Sequence, residues 1–178
     1  KLDGKKTVWY ENGQIMVDIN YKDGKLDGKY TWWFENGLIS YEKFYKDDKL
    51  DGKSTSWNEN GQIKSVENYK ESVLVYKTMF SYFDNGQISY EVNYKDGKLD
   101  GNLTFWKKNG QKDEKRNYND GVLVNKTTYK YSYFTGQITE KSYNKDGKKD
   151  GKWTKWYKNG EIKYEKFYKD GECISGDC

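Results

Sequence analysis

The chain has 178 residues, a length that fits one domain, and is 34% hydrophobic, 34% charged and 18% aromatic. It contains no Ala, Pro or His, and its 32 basic and 28 acidic residues are interleaved, for a net charge of +4. This excludes a phosphate-tracking basic stripe and a membrane-spanning helix, for which no stretch of 18 apolar residues exists. The density of rings is too high for a disordered chain.

In chain order, KLDGK opens the sequence at 1–5 and returns at 25–29 and 49–53, followed by KLDGN at 98–102 and KKDGK at 148–152. Between these segments Asn-Gly stands at 12–13, 36–37, 60–61, 85–86, 109–110 and 159–160, with Thr135-Gly136 filling the remaining place. The marker glycines are 24, 24, 25, 24, 26 and 24 residues apart. Seven units therefore cover residues 1–171 as one repeat domain and leave 172–178 as a C-terminal tail.

Each unit reads as a β-hairpin. A run rich in Thr, Trp, Tyr and Phe leads into Asn-Gly, read here as a two-residue type I′ turn, and a second run ends at Asp-Gly, the reverse turn into the next unit. No helical period is present, and the absence of Pro suits continuous ladder hydrogen bonding. The expected fold is all-β: seven tandem hairpins of about 24 residues in one elongated, twisted antiparallel sheet.

Three columns recur from unit to unit. The first is Trp9, Trp33, Trp57, Tyr82, Trp106, Tyr133 and Trp156; the second is Ile15, Ile39, Ile63, Ile88, Lys112, Ile138 and Ile162. The third is Tyr21, Tyr45, Tyr69, Tyr94, Tyr118, Tyr143 and Tyr168. Stacked hairpins would align each column into a cross-strand ladder that holds the sheet. With a two-residue turn, Tyr10, Ile15, Val17 and Tyr21 fall on one face and Thr7 and Trp9 on the other, so both faces carry rings.

Departures from the pattern mark candidate contacts. In the second unit Trp32, Phe34 and Phe44 are rings beyond the shared columns and are expected to meet a partner. Residues 72–78 (SVLVYKT) and 121–127 (GVLVNKT) replace the polar connection. Their Val73, Leu74, Val75, Val122, Leu123 and Val124 read either as a lengthened strand or as an exposed apolar contact. In the fifth unit Lys112, Asp113, Glu114, Lys115 and Arg116 stand where other units have Ile and Tyr and predict an exposed strand there. Cys173 and Cys178 are placed either to form a local disulfide or to remain as thiols in a frayed tail.

Without His there is no Ser-His or Cys-His pair, and carboxylates that recur in equivalent places lack the unequal environments of acid–base catalysis. No enzyme activity, cofactor or metal site is expected. Arg116 is the sole Arg, which speaks against base readout in nucleic acid.

The pattern G-K-x-T-x-W-Y-E-N-G-Q-I-x-x-E-x-x-Y-K-D-G-K resembles the bacterial variant of the MORN repeat over residues 1 to about 171. The resemblance implies a row of hairpins in one long sheet, a scaffolding role toward other proteins and, for the YwqK-like members, an antitoxin role. The leading expectation is a protein-binding scaffold. A cytosolic antitoxin and a glycan- or membrane-surface-binding module are the alternatives, and self-association through sheet faces or edges is open. Because the chain begins at Lys1, in phase with the repeat, it is expected to be a trimmed product with further units before it. That start, the Cys pair and the polar surface favour export or the cell surface over the cytoplasm.

Overall fold

The computed structural model describes all residues, 1–178. It contains no helix. Six hairpins follow one another: β1 (Gly4–Trp9) with β2 (Ile15–Lys22), β3 (Lys25–Trp33) with β4 (Ile39–Lys46), β5 (Lys49–Trp57) with β6 (Ile63–Lys70), β7 (Val73–Tyr82) with β8 (Ile88–Lys95), β9 (Lys98–Trp106) with β10 (Lys112–Asn119), and β11 (Val122–Tyr131) with β12 (Ile138–Lys145). In the seventh, Asp150 splits the first strand into β13 (Lys148–Lys149) and β14 (Gly151–Trp156), and β15 (Ile162–Lys169) returns; β16 (Glu172–Gly176) follows. The strands form one antiparallel sheet in sequence order, with β13 pairing beside β14 on β12.

The chain divides into two compact units, one of Lys1–Phe80 with Tyr94–Gly97 and the other of Ser81–Asn93 with Lys98–Cys178. In the first unit, directly opposed residues make continuous rows. Val8, Val17, Trp32, Tyr41, Ser56, Ser65 and Met79 lie side by side across β1 to β7. Thr7, Asp18, Thr31, Glu42, Thr55, Val66 and Thr78 make the neighbouring row, which points to the other face. In the second unit Phe105, Glu114, Thr128 and Ser142 share one row, and Thr104, Lys115, Thr127 and Tyr143 the row facing the opposite way.

Neither unit has a second layer, and the interior is correspondingly unusual. Val17 and Val92 are the buried hydrophobic residues; the other buried side chains are the hydroxyls Thr31, Ser54, Thr55, Ser65, Thr104, Thr127, Ser142 and Thr154. Four of these Thr stand in the rows just described. A β-branched residue with a small polar tip fits a pleated surface closed in only by its cross-strand neighbours.

The two kinds of turn are the reverse of the sequence expectation. The Asp-Gly connections are the type I′ turns: both central residues have positive φ at Asp23-Gly24 (53° and 86°), and likewise at Asp47-Asp48 (49° and 68°) and Glu71-Ser72 (48° and 68°). The Asn-Gly turns have positive φ at Gly alone, as at Gly13 (82°), and the residues closing the turn are Tyr10 and Gln14, through Tyr10 N to Gln14 O at 2.8 Å. The Asn prefers this role because its Oδ1 accepts the backbone N–H two residues on, 3.0 Å from Gln14 N to Asn12 and from Leu38 N to Asn36. A register shift follows every Asn-Gly turn of the first unit at the Trp position, as between Trp32 and Trp33, so the second column leaves the alternation assumed for a two-residue turn.

Two column members are out of phase. Tyr131, not Tyr133, ends β11 opposite Ile138, because the turn from Ser132 to Gln137 is one residue longer than its counterparts. Tyr133 projects from that turn, 95% exposed. Tyr143 lies opposite Thr127, and Asn144 takes the place that Tyr168 holds in β15, since one extra residue separates Tyr143 from Asp146-Gly147. Residues 172–176 are not a tail but β16, paired with β15 from Glu172 opposite Lys169 to Gly176 opposite Lys166, and Cys173 and Cys178 are joined as a disulfide.

Candidate functional site

The strand alternation gathers rings on one face of the first unit. Trp32 stacks on Tyr41 (centroids 6.0 Å, 20°), Tyr41 on Tyr30 (5.9 Å, 10°), and Tyr30 leans on Tyr45 (5.9 Å, 56°). Lys43 completes the cluster with its Nζ 4.6 Å from the centre of Tyr41. All four rings are half-buried. Burial, then the neighbouring Tyr30, pushes the Tyr41 phenol well above the ordinary tyrosine value, and the same causes raise Tyr45. The Tyr41 and Tyr45 phenols are therefore held in their neutral, hydroxyl-bearing form beside the Lys43 ammonium.

Further along this face the rings give way to a polar network. Ser56 and Ser65 share a hydrogen bond of 2.9 Å, Glu67 pairs with Lys77 at 2.8 Å, and the Tyr69 hydroxyl donates to Glu67 at 2.8 Å. Burial opposes ionisation of Glu67, but the Lys77 ammonium and the Tyr69 hydroxyl outweigh it and hold the carboxyl below its ordinary value. Tyr69 is pushed up to about 12 by burial and then by its bond to Glu67.

In the second unit Trp153 meets Tyr164 edge-on (5.8 Å, 87°) and Tyr168 at a tilt (5.7 Å), with Lys149 Nζ 3.4 Å from its ring centre. The fifth hairpin replaces the ring cluster with charge. Glu114 bridges Arg116 and Lys126, and Arg116 lies over Phe105 at 5.4 Å. Of the five charged residues only Lys112 and Asp113 are exposed, since Glu114 to Tyr118 are half-buried between β9 and β11. The expected exposed strand is thus confined to its ends.

Trp32, Phe34 and Phe44 do not converge. Trp32 belongs to the ring cluster, Phe34 sits in the Asn-Gly turn where its N–H bonds Leu38 O at 2.8 Å, and Phe44 lies opposite Lys29 on the reverse face. Tyr30 and Tyr41 are the partners that the column reading missed. Two-residue spacing from Trp32 and from Tyr45 is the sequence signal that finds them. Of the shared Trp column, Trp9 is 58% exposed, while Trp33, Trp57, Tyr82, Trp106 and Trp156 are half-buried at the ends of their strands. Tyr21, Tyr94 and Tyr118 are half-buried in β2, β8 and β10.

The two Val-Leu-Val segments begin the two longest strands and are exposed at Val73, Val75, Val122 and Leu123, while Leu74 and Val124 are half-buried. Val73 and Val122 are 66% and 68% exposed; Leu74 and Leu123 are set against Tyr69 and Tyr118. Val124 lines a shallow groove with Tyr143 and Lys152.

No curated protein matches this chain. Among solved structures, the crystal structure of TcdB2-TccC3 aligns with 92% of the chain at 12% identity and a TM-score of 0.45, and the aligned part is 9% of that far longer chain. The family described as MORN repeat variant matches residues 2–23, 26–47, 50–71, 77–96 and 149–170, leaving unmatched the stretch that contains β9 to β12. These five matches take in more than half of the chain and coincide with hairpins described above, so the chain belongs to the MORN repeat variant family.

Proposed function

We propose that this chain is a non-enzymatic scaffold that holds another protein against its sheet. The observation that carries the reading is the Tyr30–Trp32–Tyr41–Tyr45 cluster: four rings in contact, three of them phenols, on a sheet whose unit has no second layer to bury them. Trp and Tyr in such a setting supply contact area at low entropic cost and dominate the energetics of protein interfaces. The absence of His and the repetition of its carboxylates support a role without acid–base chemistry.

The Cys173–Cys178 disulfide supports residence in an oxidising compartment, outside the bacterial cytoplasm. A toxin bound in the cytoplasm is the narrower alternative implied by YwqK-like relatives, and it predicts rescue of growth when the chain is co-expressed with a toxin encoded beside it.

The scaffold reading is tested by placing a photo-crosslinking residue at Lys43, beside the cluster. One protein is expected to be captured from extracts of the producing cell or its host, and to be lost when Trp32 and Tyr41 are both replaced by Ser. Capture of nothing, or capture indifferent to these replacements, would sink it.

A further inference from the structure

The face opposite the rings carries a repeated cross-strand ion pair. Lys5 bonds Asp18 at 2.7 Å, Lys29 bonds Glu42 at 2.5 Å, and Lys152 bonds Glu165 at 2.6 Å. The acid is always the third residue after the Ile of the second column, and it stands opposite a Thr: Thr7, Thr31 and Thr154. In the fifth hairpin the same two positions are Asn102 and Lys115, with Lys115 opposite Thr104 and Thr127. In the sixth hairpin the acid position is Lys141, opposite Tyr129 and Thr154. The carboxylate is not merely lost in these two hairpins; its charge is inverted twice in succession.

Neither lysine is answered within the chain. Lys115 makes no ion pair, and Lys141 rests against the rings of Tyr129 and Tyr143, its Nζ 5.9 and 5.0 Å from their centres. Both are half-buried and line one groove of about 410 Å³ with Asn102, Asn117, Asn125 and Thr127. Asn117 donates to the Asn102 Oδ1 at 3.2 Å, which orients that amide. A second groove continues the first, sharing Asn125 and Tyr143. The first groove offers two ammonium groups, Asn amides and the phenol hydroxyls of Tyr129 and Tyr143; the second adds Lys145, Lys152 and Asp150, whose carboxylate is already paired with Lys169 at 2.9 Å.

We propose that this groove binds an extended acidic segment of a partner protein, an inference that rests on the scaffold reading and adds the chemistry of the partner. Charge complementarity sets the sign. The lysines stand on strands two apart and two residues out of step, roughly 12 Å at the backbone, and carboxylates on alternate residues of an extended peptide lie about 7 Å apart. The flexible lysine stems span the difference. Lys141 already occupies the ring faces of Tyr129 and Tyr143 that a pyranose would need, which favours a peptide over a saccharide.

The test uses a blocked octapeptide of alternating Glu and Thr, with the Gln-Thr peptide, hexagalacturonate and phosphatidylserine vesicles as the comparison probes. Binding to the whole chain is read by isothermal titration at two salt concentrations. The Glu-Thr peptide is expected to bind, to weaken with salt, and to lose about tenfold in affinity for each of Lys115→Glu and Lys141→Glu. Those replacements install the residue type that Asp18, Glu42 and Glu165 supply at the same place, so the fold tolerates them; Lys115→Gln and Lys141→Gln provide a neutral check, and Lys64→Glu, exposed on β6, a control expected to change nothing. Equal binding of the Gln-Thr peptide, tighter binding of hexagalacturonate or vesicles, no binding of the Glu-Thr peptide, or indifference to both lysines would overturn the proposal. Partner capture at Lys43 that survives in the Lys115→Glu, Lys141→Glu double variant, alongside failed peptide binding, would remove the acidic site and leave the scaffold standing.

Discussion

Replacing Asn36 by Ala tests what ties one hairpin to the next. The Asn36 Oδ1 accepts Leu38 N at 3.0 Å within its own turn, and its Nδ2 donates to Glu59 O in the next turn at 2.8 Å. Asn60 makes the same local bond, to Gln62 N at 3.1 Å, but its Nδ2 goes to Gln62 Oε1 at 2.8 Å and stays within the turn. A protein hydrogen bond nets about 0.5–1.5 kcal/mol, and exposed ones fall in the lower half. Asn36→Ala is therefore expected to cost about 1–2 kcal/mol, and Asn60→Ala about 0.5–1 kcal/mol less, because its second bond joins two groups that water readily satisfies. Urea unfolding followed by Trp fluorescence measures both variants, and hydrogen exchange at the Gly61 amide reports whether the neighbouring turn loosens. In a chain whose stability is a sum of units and nearest-neighbour contacts, the difference belongs to the contact between hairpins. Equal losses in the two variants, or a greater loss for Asn60→Ala, would refute the reasoning.

Acid should weaken the fold in a defined direction. Asp18, Glu67 and Glu114 have carboxyls held below their ordinary values: burial opposes this in each, and it is outweighed by Lys5 and Thr7, by Lys77 and Tyr69, and by Lys126 and Arg116 respectively. A depressed folded value means that their contribution is complete above the ordinary carboxylate range and is lost as pH falls through the folded values. The urea midpoint should hold near neutrality and drop on acidification below the ordinary range, with Glu67→Gln flattening part of that drop. At Asp48, φ of 68° strains an L residue while Leu26 N bonds its Oδ1 at 2.7 Å. Asp48→Gly should be close to neutral, relief of about 1 kcal/mol offsetting the lost bond, whereas Asp48→Ala keeps the strain and should lose about 1 kcal/mol in thermal unfolding. Cys178→Ser opens a loop short enough that the cross-link contributes about 2 kcal/mol. The loss should appear as faster hydrogen exchange at Glu172 and Cys173 with no change in the main unfolding midpoint.

The repeat and the hairpin were legible because glycine spacing is a strict period and ring-rich runs on both sides of a turn have few other solutions. Turn type was not, because Asn-Gly suits both a two-residue turn and a three-residue turn with a Gly bulge; the side-chain bond from Asn12 to Gln14 N decides, and it is invisible in spacing. Tyr133 and Tyr143 were misplaced for a related reason. Counting from the glycine assumes constant turns, and the sixth hairpin holds one extra residue in its turn and another between Tyr143 and Asp146. Phe34 and Phe44 do not join Trp32 because surplus rings were counted along the chain and not by strand parity, which places Tyr30 and Tyr41 with Trp32. The inverted charges at Lys115 and Lys141 were in plain view, three residues after the second column, and acquired meaning only once the register showed that they stand where a carboxylate pairs with a cross-strand Lys.

The bonds that join neighbouring hairpins also constrain how such a chain can change its length. Asn12 reaches Glu35, Asn36 reaches Glu59 and Asn85 reaches Lys108, each 23 residues on; at the opposite rim Lys25 reaches Asp47 and Lys49 reaches Glu71, each 22 on. Duplicating or deleting a whole hairpin preserves every one of these links. A single added residue does not: before Gly136 the Asn is gone, Asn109 turns back to its own Gln111, and Gln111 Nε2 makes the reach to Gly136 O instead. Copy number is thus the inexpensive variable of this architecture, and the reach of a partner-binding surface can be set by the number of hairpins without redesigning any one of them.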